Sequence, residues 1–515
     1  MKRTSLIAGG SLQQRLQAAE LAWHRKDYLA CLETLQEASR LAPANTAILL
    51  QLGRVQGLRY DYAGAQHSFE QALRLATRKT EMLTLVADYC QNFRNPDLAE
   101  HYLRCAIEQP DATTPAYVKL AELCERLRRL PEATQLIEQA LKLHPGFPAA
   151  LLVRARLERT AGQLEVAEQV LRSFITKPVP DLWVRTQTWY ELATILDRQG
   201  RYDEAMAAFL EAKNLLRPQA APHLADLKLF RARLKVMESN VSAELFQRWT
   251  NDAPQLAPAR RLALLYGHAR SGTTLLEQVL DSHPDIASAE ETEIFIEEAF
   301  TPIKRCSPPN AFMLPALEAA TFPTLRQVRA AYFHTMELCL DRPLANHMLI
   351  DKNPMYSYMI PGFIRIFPET KFLVAMRDPR DVVISCFMQP HQLNAVTSAY
   401  LNLETTVEDY AAVMSIWRTL APLLSGRFLE VRYEDMVDNL EAVARRTLEF
   451  LGVPWHECVL KFDEHARHKI VFSPTYADVT QPVFKRAKGR WQNYQKYLEP
   501  HLPQLEPFVK AFGYA

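Results

Sequence analysis

Small residues recur every 34 positions through the first part of the chain. This spacing constrains the fold more than any other feature, because a unit of this length cannot bury its apolar face alone and must stack on its neighbours. Two helices fit into one period, and small side chains let them cross closely. Three series keep the register: Ala19, Gly53, Ala87, Ala121, Ala155; Cys31, Ala65, Ala99, Ala133, Ala167; and Ala38, Ala72, Ala106, Ala140.

The period is typical of tetratricopeptide repeats and predicts an all-α solenoid of about six repeats over residues 12–218. The units begin near Leu12, Thr46, Thr80, Thr114 and Pro148, and a sixth, with Ala193, Ala205, Phe209 and Ala212, is displaced by four residues. We expect the array to bind a peptide or partner protein on a concave surface. The alternative is a scaffold or oligomerisation arm without ligand specificity.

Composition limits the function classes. A chain of 515 residues exceeds one ordinary core, and a net charge of +1 does not indicate nucleic acid as a partner. The eight cysteines are scattered without a C-x-x-C pair, which favours a reducing compartment and no structural zinc. No stretch has the length and apolarity of a membrane span, so we expect a cytoplasmic protein. The sequence leaves the oligomeric state open.

The second half begins with an apolar run, Leu262 to Tyr266, that predicts a buried strand. The loop that follows is bounded by Gly267 and Gly272 and leads into an amphipathic helix. Strand, glycine-bounded loop and helix form the layout of a phosphate-binding turn. Thr273 stands where a Walker A loop has its lysine, which disfavours a kinase or NTPase, and Arg270 supplies a positive charge instead.

The stretch RSGTTLLEQVLDSHPD, from Arg270 to Asp285, resembles the 5′-phosphosulfate loop of sulfotransferases that use 3′-phosphoadenosine 5′-phosphosulfate (PAPS), and most of all that of tyrosylprotein sulfotransferases. The resemblance implies an α/β, P-loop-like domain with a parallel sheet over residues 259–515, after a connecting helix and linker at 219–258. By the same resemblance, five loop residues bind the donor: Arg270, Ser271, Gly272, Thr273 and Thr274.

Two further segments match catalytic residues of that family. Glu291, in Ala-Glu-Glu-Thr, matches the base that takes the acceptor proton; the alternative is a solvated acidic helix start. Lys352 follows an apolar strand and matches the lysine that contacts the transferring group, where a fixed ammonium stabilises developing charge. Arg270 completes the predicted catalytic set.

The remaining matches concern the 3′-phosphate of the donor. Arg377, at the end of a strand, and Ser385, eight residues later, fit the family's phosphate site. Tyr433 resembles a tyrosine near the nucleotide, and Lys488 with Gly489 resembles a basic segment that closes over it. The alternative for Tyr433 is a structural Tyr-Glu corner, and the alternative for the segment of Lys488 and Gly489 is a solvated basic face with Trp491 in the core.

The resemblance therefore implies a PAPS-dependent sulfotransferase that needs no metal and modifies an acceptor hydroxyl, with a tyrosine of a peptide or protein favoured. The alternatives are a glycan or small-metabolite acceptor, or a tetratricopeptide interaction protein with an inactive transferase domain.

Overall fold

The computed structural model describes residues 11–256, 258–307, 313–424, 426–467, 479–480 and 487–514. The chain divides into two compact units, Met1–Leu157 and Glu158–Ala515. This division follows packing and falls inside a repeat. The domain limits 12–218, 219–258 and 259–515 therefore stay predictions.

Helix pairs joined by short turns build the predicted repeats. The helices are α1 (Leu12–His24), α2 (Tyr28–Leu41), α3 (Thr46–Leu58), α4 (Tyr62–Leu75), α5 (Lys79–Asn92), α6 (Pro96–Ile107), α7 (Thr114–Arg126), α8 (Leu130–Leu143), α9 (Pro148–Thr160), α10 (Leu164–Arg172), α11 (Leu182–Arg198) and α12 (Tyr202–Leu216). Within the first unit, Asp27, Asp61 and Asn95 cap α2, α4 and α6 at the predicted spacing of 34. Each side chain satisfies a backbone N–H that the helix leaves without a partner.

The turns inside the pairs confirm the predicted register. Each contains a left-handed residue with φ between +54° and +83°: Lys26, Tyr60, Arg94, Arg128, Gly162 and Gly200, the last at +76°. The first five lie 34 positions apart, and the sixth is displaced by the predicted four residues. The chain thus reverses in the same way in every unit.

The connection after the array differs from the single helix that the sequence predicted. Helix α13 (Ala221–Asn240) ends where Val241 is extended, and α14 (Ala243–Asn251) then begins with a capping hydrogen bond from the Leu245 N–H to the Ser242 side chain. The serine caps the second helix by satisfying one of its first backbone N–H groups.

A five-stranded parallel sheet forms the centre of the second unit, in the order β2-β3-β1-β4-β5. The strands are β1 (Leu262–Gly267), β2 (Ile286–Glu290), β3 (Met348–Lys352), β4 (Lys371–Met376) and β5 (Phe428–Arg432). The chain leaves β1 toward β2 on one side of the sheet and leaves the neighbouring β4 toward β5 on the other side. The carboxyl ends of β1 and β4 therefore form a topological switch point, where open α/β sheets bind ligands.

Helices cover both faces of this sheet. They are α15 (Thr273–Asp281), α16 (Thr301–Arg305), α17 (Met313–Ala319), α18 (Phe322–Leu340), α19 (Ile360–Ile366), α20 (Pro379–Met388), α21 (Leu403–Leu420), α22 (Tyr433–Asp438), α23 (Leu440–Leu451), α24 (Phe462–Arg467), α25 (Gln495–Leu498) and α26 (Leu502–Ala511). One apolar core joins α15, α22 and α23 to the strands. In the part of the chain that the structure describes, we find no helix with the length and apolarity needed to cross a membrane.

Candidate active site

The turn between β1 and α15 depends on two glycines. A Cβ on Gly267 would lie 2.4 Å from the carbonyl oxygen of Ala375 on β4. Gly272 has φ +93°, and a Cβ there would lie 2.8 Å from the Tyr433 ring. Both positions therefore require glycine, because backbone and side chains of neighbouring elements approach too closely for any other residue.

The start of α15 offers backbone donors to an anion. Its N-cap is Gly272, which has no side chain to accept a hydrogen bond from the first turn. Ser271, Thr273 and Thr274 are buried around this point. An uncapped helix N-terminus with a positive dipole end suits a phosphate or sulfate group.

Arg270 and Arg377 bring the two predicted phosphate sites together. The Arg270 Nε donates to Ser385 Oγ at 3.0 Å, and Arg377 Nη1 donates to the Arg270 carbonyl oxygen at 3.0 Å. The sequence predicted two sites on two separate loops, and the structure links them by direct hydrogen bonds. Arg270 has φ +71°, a left-handed conformation that disfavours an L-residue by about 1 kcal/mol.

One residue of the loop, His268, has a buried imidazole. Its Nδ1–H donates to the Ala269 carbonyl oxygen at 2.9 Å, and its Nε2 lies 3.5 Å from Asp409 on α21. Burial alone would lower the pKa of His268, but Asp409 and Cys386 raise it to about 10. Asp409 thus favours the protonated form of the ring, and the two side chains form a buried ion pair within the site.

Lys352, at the carboxyl end of β3, lies among three carboxylates. Its Nζ is 2.8 Å from Glu291 Oε1, 3.2 Å from Glu277 Oε2 and 3.7 Å from Glu290 Oε1. Burial would lower the pKa of Lys352, but Glu277, Glu291 and Glu290 raise it above its ordinary value. The lysine is therefore a fully buried, permanently charged ammonium.

Glu291 lies directly after β2 and is fixed by its backbone as well as by its side chain. Its N–H donates to the Lys352 carbonyl oxygen at 2.7 Å, and its φ is +48°. Its side chain is 35% exposed, whereas Lys352 and Glu277 are completely buried. Glu291 is therefore the carboxylate of this cluster that an acceptor can reach most directly from solvent.

The three remaining predicted residues lie around Arg377. Tyr433 is buried, with the Arg377 guanidinium 4.8 Å above its ring. The Gly489 N–H donates to Asp381 Oδ2 at 2.7 Å. Lys488 instead forms an exposed ion pair with Asp438 at 2.6 Å. The side chain of Lys488 is thus held by a carboxylate of α22 in this structure.

Sequence reasoning missed several residues of the site. Glu277 and Glu290 complete the cluster around Lys352, and Asp381 binds two backbone N–H groups of the segment near Gly489. Glu277 shares its face of α15 with Thr273, Thr274 and Asp281, so no pattern in the sequence distinguished it from a solvated helix residue. Across the described ranges, no group of three or more His, Cys, Asp or Glu side chains is arranged to hold a metal ion.

Comparison with known families agrees with this layout. Residues 263–457 match the model described as the sulfotransferase family. Residues 114–157 and 186–215 each match a model described as a tetratricopeptide repeat.

Several known proteins are similar to the chain. An "uncharacterized protein" of Aquifex aeolicus (strain VF5) is 23% identical over 81% of this chain and 54% of its own length. The protein-tyrosine sulfotransferase of Drosophila melanogaster is 28% identical over 50% of this chain and 52% of its own length. Protein-tyrosine sulfotransferase 1 of Danio rerio is 28% identical over 39% of this chain and 56% of its own length. The chain thus spans about half the length of these curated relatives.

Among solved structures, the sulfotransferase domain of the Synechococcus PCC 7002 olefin synthase is 21% identical. The structural match covers 46% of this chain and 89% of that domain, with a TM-score of 0.32.

Proposed function

We propose that the protein transfers a sulfuryl group from PAPS to the hydroxyl of a tyrosine in a peptide or protein. The proposal is supported by the match of residues 263–457 to the sulfotransferase family and by the two matches to tetratricopeptide repeats. The observation that carries the proposal is the 2.8 Å contact between the Lys352 ammonium and the Glu291 carboxylate. This pair lies at the same edge of the sheet as the anion-binding turn. A base and a fixed cation next to such a turn suit transfer of an anionic group to a hydroxyl.

The residues present fit the proposed donor. Arg377 has a buried Nε–H without an acceptor among the described residues, and the start of α15 has donors that Gly272 cannot cap. In the proposal, the loop residues Arg270 to Thr274 bind the 5′-phosphosulfate. Arg377, Ser385, Tyr433, Lys488 and Gly489 bind the 3′-phosphoadenosine part.

The donor, when bound, supplies an activated sulfuryl group and a phosphate leaving group. Glu291 takes the proton from the acceptor hydroxyl as the new bond forms. The Lys352 ammonium stabilises the negative charge that develops on the transferring and leaving oxygens, together with Arg270 and the backbone N–H groups of the loop. Glu277 and Glu290 keep Lys352 protonated throughout, so that it acts as a cation and not as a base.

The tyrosine acceptor is supported by the relatives named protein-tyrosine sulfotransferases. The repeats would recruit the acceptor or a partner protein. The proposal keeps the predicted limits, with repeats at 12–218, a linker at 219–258 and the transferase domain at 259–515. It also keeps the cytoplasmic setting, in agreement with eight cysteines that form no disulfide.

Calorimetric binding tests the donor directly. We expect the protein to bind adenosine 3′,5′-bisphosphate, the desulfated product, more tightly than ATP. Arg377→Ala should weaken that binding by about one to two orders of magnitude, because charge-assisted hydrogen bonds to phosphate are lost. Arg446→Ala, at an exposed arginine of α23, is the matched control. Equal or preferred binding of ATP by the wild type would refute the proposal.

A further inference from the structure

A segment near the carboxyl terminus, residues 487–497, lies against the proposed donor site. The Arg377 Nη2 donates to the Ala487 carbonyl oxygen at 2.5 Å. The backbone N–H groups of Gly489 and Trp491 donate to the two oxygens of Asp381 at 2.7 and 2.8 Å. Asp381 is buried at the start of α20 and lies 3.9 Å from Arg377. We call residues 487–497 the clasp segment.

The other side of the clasp segment is held by the last helix pair of the repeat array. Asp197, near the end of α11, accepts a hydrogen bond from the Tyr494 hydroxyl at 2.6 Å and forms an ion pair with Arg490 at 2.7 Å. The ring of Tyr494 packs edge-on against Tyr202 of α12, with centroids 5.5 Å apart. Tyr494 itself is fully buried, whereas the side chain of Arg490 is 27% exposed.

A second acid, Asp203, contacts the same segment from the start of α12. It pairs with Lys496 at 2.7 Å and accepts from the Tyr497 hydroxyl at 3.0 Å. The side chain of Asp203 is 67% exposed, whereas that of Asp197 is 14% exposed. Exposed ion pairs contribute little because water and salt screen them. Asp197 is therefore the principal anchor.

We propose that the last helix pair of the repeat array contributes to donor binding. Within this pair, Asp197 is a positioning residue that holds the clasp segment against Arg377 and Asp381. The inference rests on the proposed function, because it concerns the affinity for a donor that carries a 3′-phosphate. It makes donor binding depend on residues that lie within the repeats and far from the catalytic pair in sequence.

The physical argument is a linked equilibrium. The donor contacts proposed for Lys488 and Gly489 exist only while the clasp segment is docked. A ligand that binds both forms but makes these contacts only in the docked form loses affinity as the docked fraction falls, down to the affinity that its remaining contacts provide. Asp197 stabilises the docked form by two charge-assisted hydrogen bonds, which are stronger than hydrogen bonds between neutral groups. Weakening them lowers the docked fraction and so weakens donor binding, while the Lys352–Glu291 pair is unchanged.

Calorimetry with adenosine 3′,5′-bisphosphate measures the effect. We expect Asp197→Ala to raise the dissociation constant about tenfold and Asp203→Asn to raise it no more than about twofold. Tyr494→Phe removes one hydroxyl and keeps the packing, so it tests the same contact if Asp197→Ala folds poorly. Glu204→Gln is the matched control, because Glu204 lies beside Asp203 but pairs with Arg201 within the array.

A double-mutant cycle separates positioning from general destabilisation. If Asp197 acts through the clasp segment, adding Lys488→Ala to Asp197→Ala should weaken binding no further than the stronger single change, because both remove the same docked contact. Turnover at saturating donor and the acceptor KM should stay near the wild-type values in Asp197→Ala.

Two results would overturn the inference: wild-type affinity for the bisphosphate in both Asp197→Ala and Tyr494→Phe, or fully additive losses in the cycle. A wild-type protein that fails to bind the bisphosphate at all would refute the proposed function instead, so the two failures are distinguishable.

Discussion

Glu277→Gln tests whether the carboxylates around Lys352 hold its ammonium in place, as the proposed mechanism requires. Glu277 Oε2 lies 3.2 Å from Lys352 Nζ, and Glu277 Oε1 also accepts from Ser288 Oγ at 2.7 Å. The substitution keeps the shape of the side chain and removes only its charge. Both partners are fully buried, so solvent does not replace the lost charge.

The expected loss of stability can be worked out from the distance between Glu277 and Lys352. At 3.2 Å and an effective dielectric constant of about 20, the gross attraction is roughly 5 kcal/mol. The solvation that the buried carboxylate loses offsets much of this, and Lys352 keeps Glu290 and Glu291 as partners. We therefore expect the free energy of unfolding to fall by about 1–3 kcal/mol. Turnover should fall about tenfold or more, because a displaced ammonium no longer meets the developing charge.

Thermal unfolding and steady-state transfer assays measure the two effects in parallel. Glu293→Gln is the control, since Glu293 is exposed and lies two positions from Glu291. If Glu277→Gln unfolded at the same temperature as this control and kept its turnover, the carboxylate cluster would have no role in holding Lys352.

Other substitutions test the fold and its charges. Burial raises the pKa of Asp351 from 3.8 to about 7, so the folded state loses stability as the pH rises between those values. We therefore expect Asp351→Asn to raise the unfolding temperature at pH 8 and to change it little at pH 4. Burial lowers the pKa of Lys213 from 10.5 to about 7, so the folded state loses stability as the pH drops between those values. We therefore expect Lys213→Met to raise the unfolding temperature at pH 7 and to raise it less at pH 10. Gly272→Ala should weaken binding of adenosine 3′,5′-bisphosphate at least tenfold, measured by calorimetry, because its Cβ would meet Tyr433.

The repeats could be predicted from the sequence because their information is local. Both the small residues and the left-handed turns recur every 34 positions. The four-residue displacement before Gly200 can also be seen in the sequence itself. The strand–loop–helix turn was equally predictable, since the glycines, the apolar run and the amphipathic helix are contiguous.

The carboxylates around Lys352 could not be predicted because they come from distant segments. Glu290 reaches Lys352 because β2 pairs with β3 in the sheet, and Glu277 reaches it because α15 packs against the sheet. The extent of β2 was itself missed, since its sequence, Ile286 to Glu290, is short and includes polar residues. The contacts of Arg270 with Ser385, and of Asp197 with Tyr494, likewise depend on tertiary packing.

The most direct test of the account is transfer of labelled sulfuryl from PAPS to a tyrosine-containing peptide by the wild type and by Glu291→Gln. We predict transfer by the wild type and a loss of turnover of about two to four orders of magnitude in the variant, which lacks the base. The affinity of the variant for adenosine 3′,5′-bisphosphate should stay close to that of the wild type. Wild-type turnover in Glu291→Gln would contradict the assignment of the base, and no transfer from PAPS by the wild type to any hydroxyl acceptor would contradict the account as a whole.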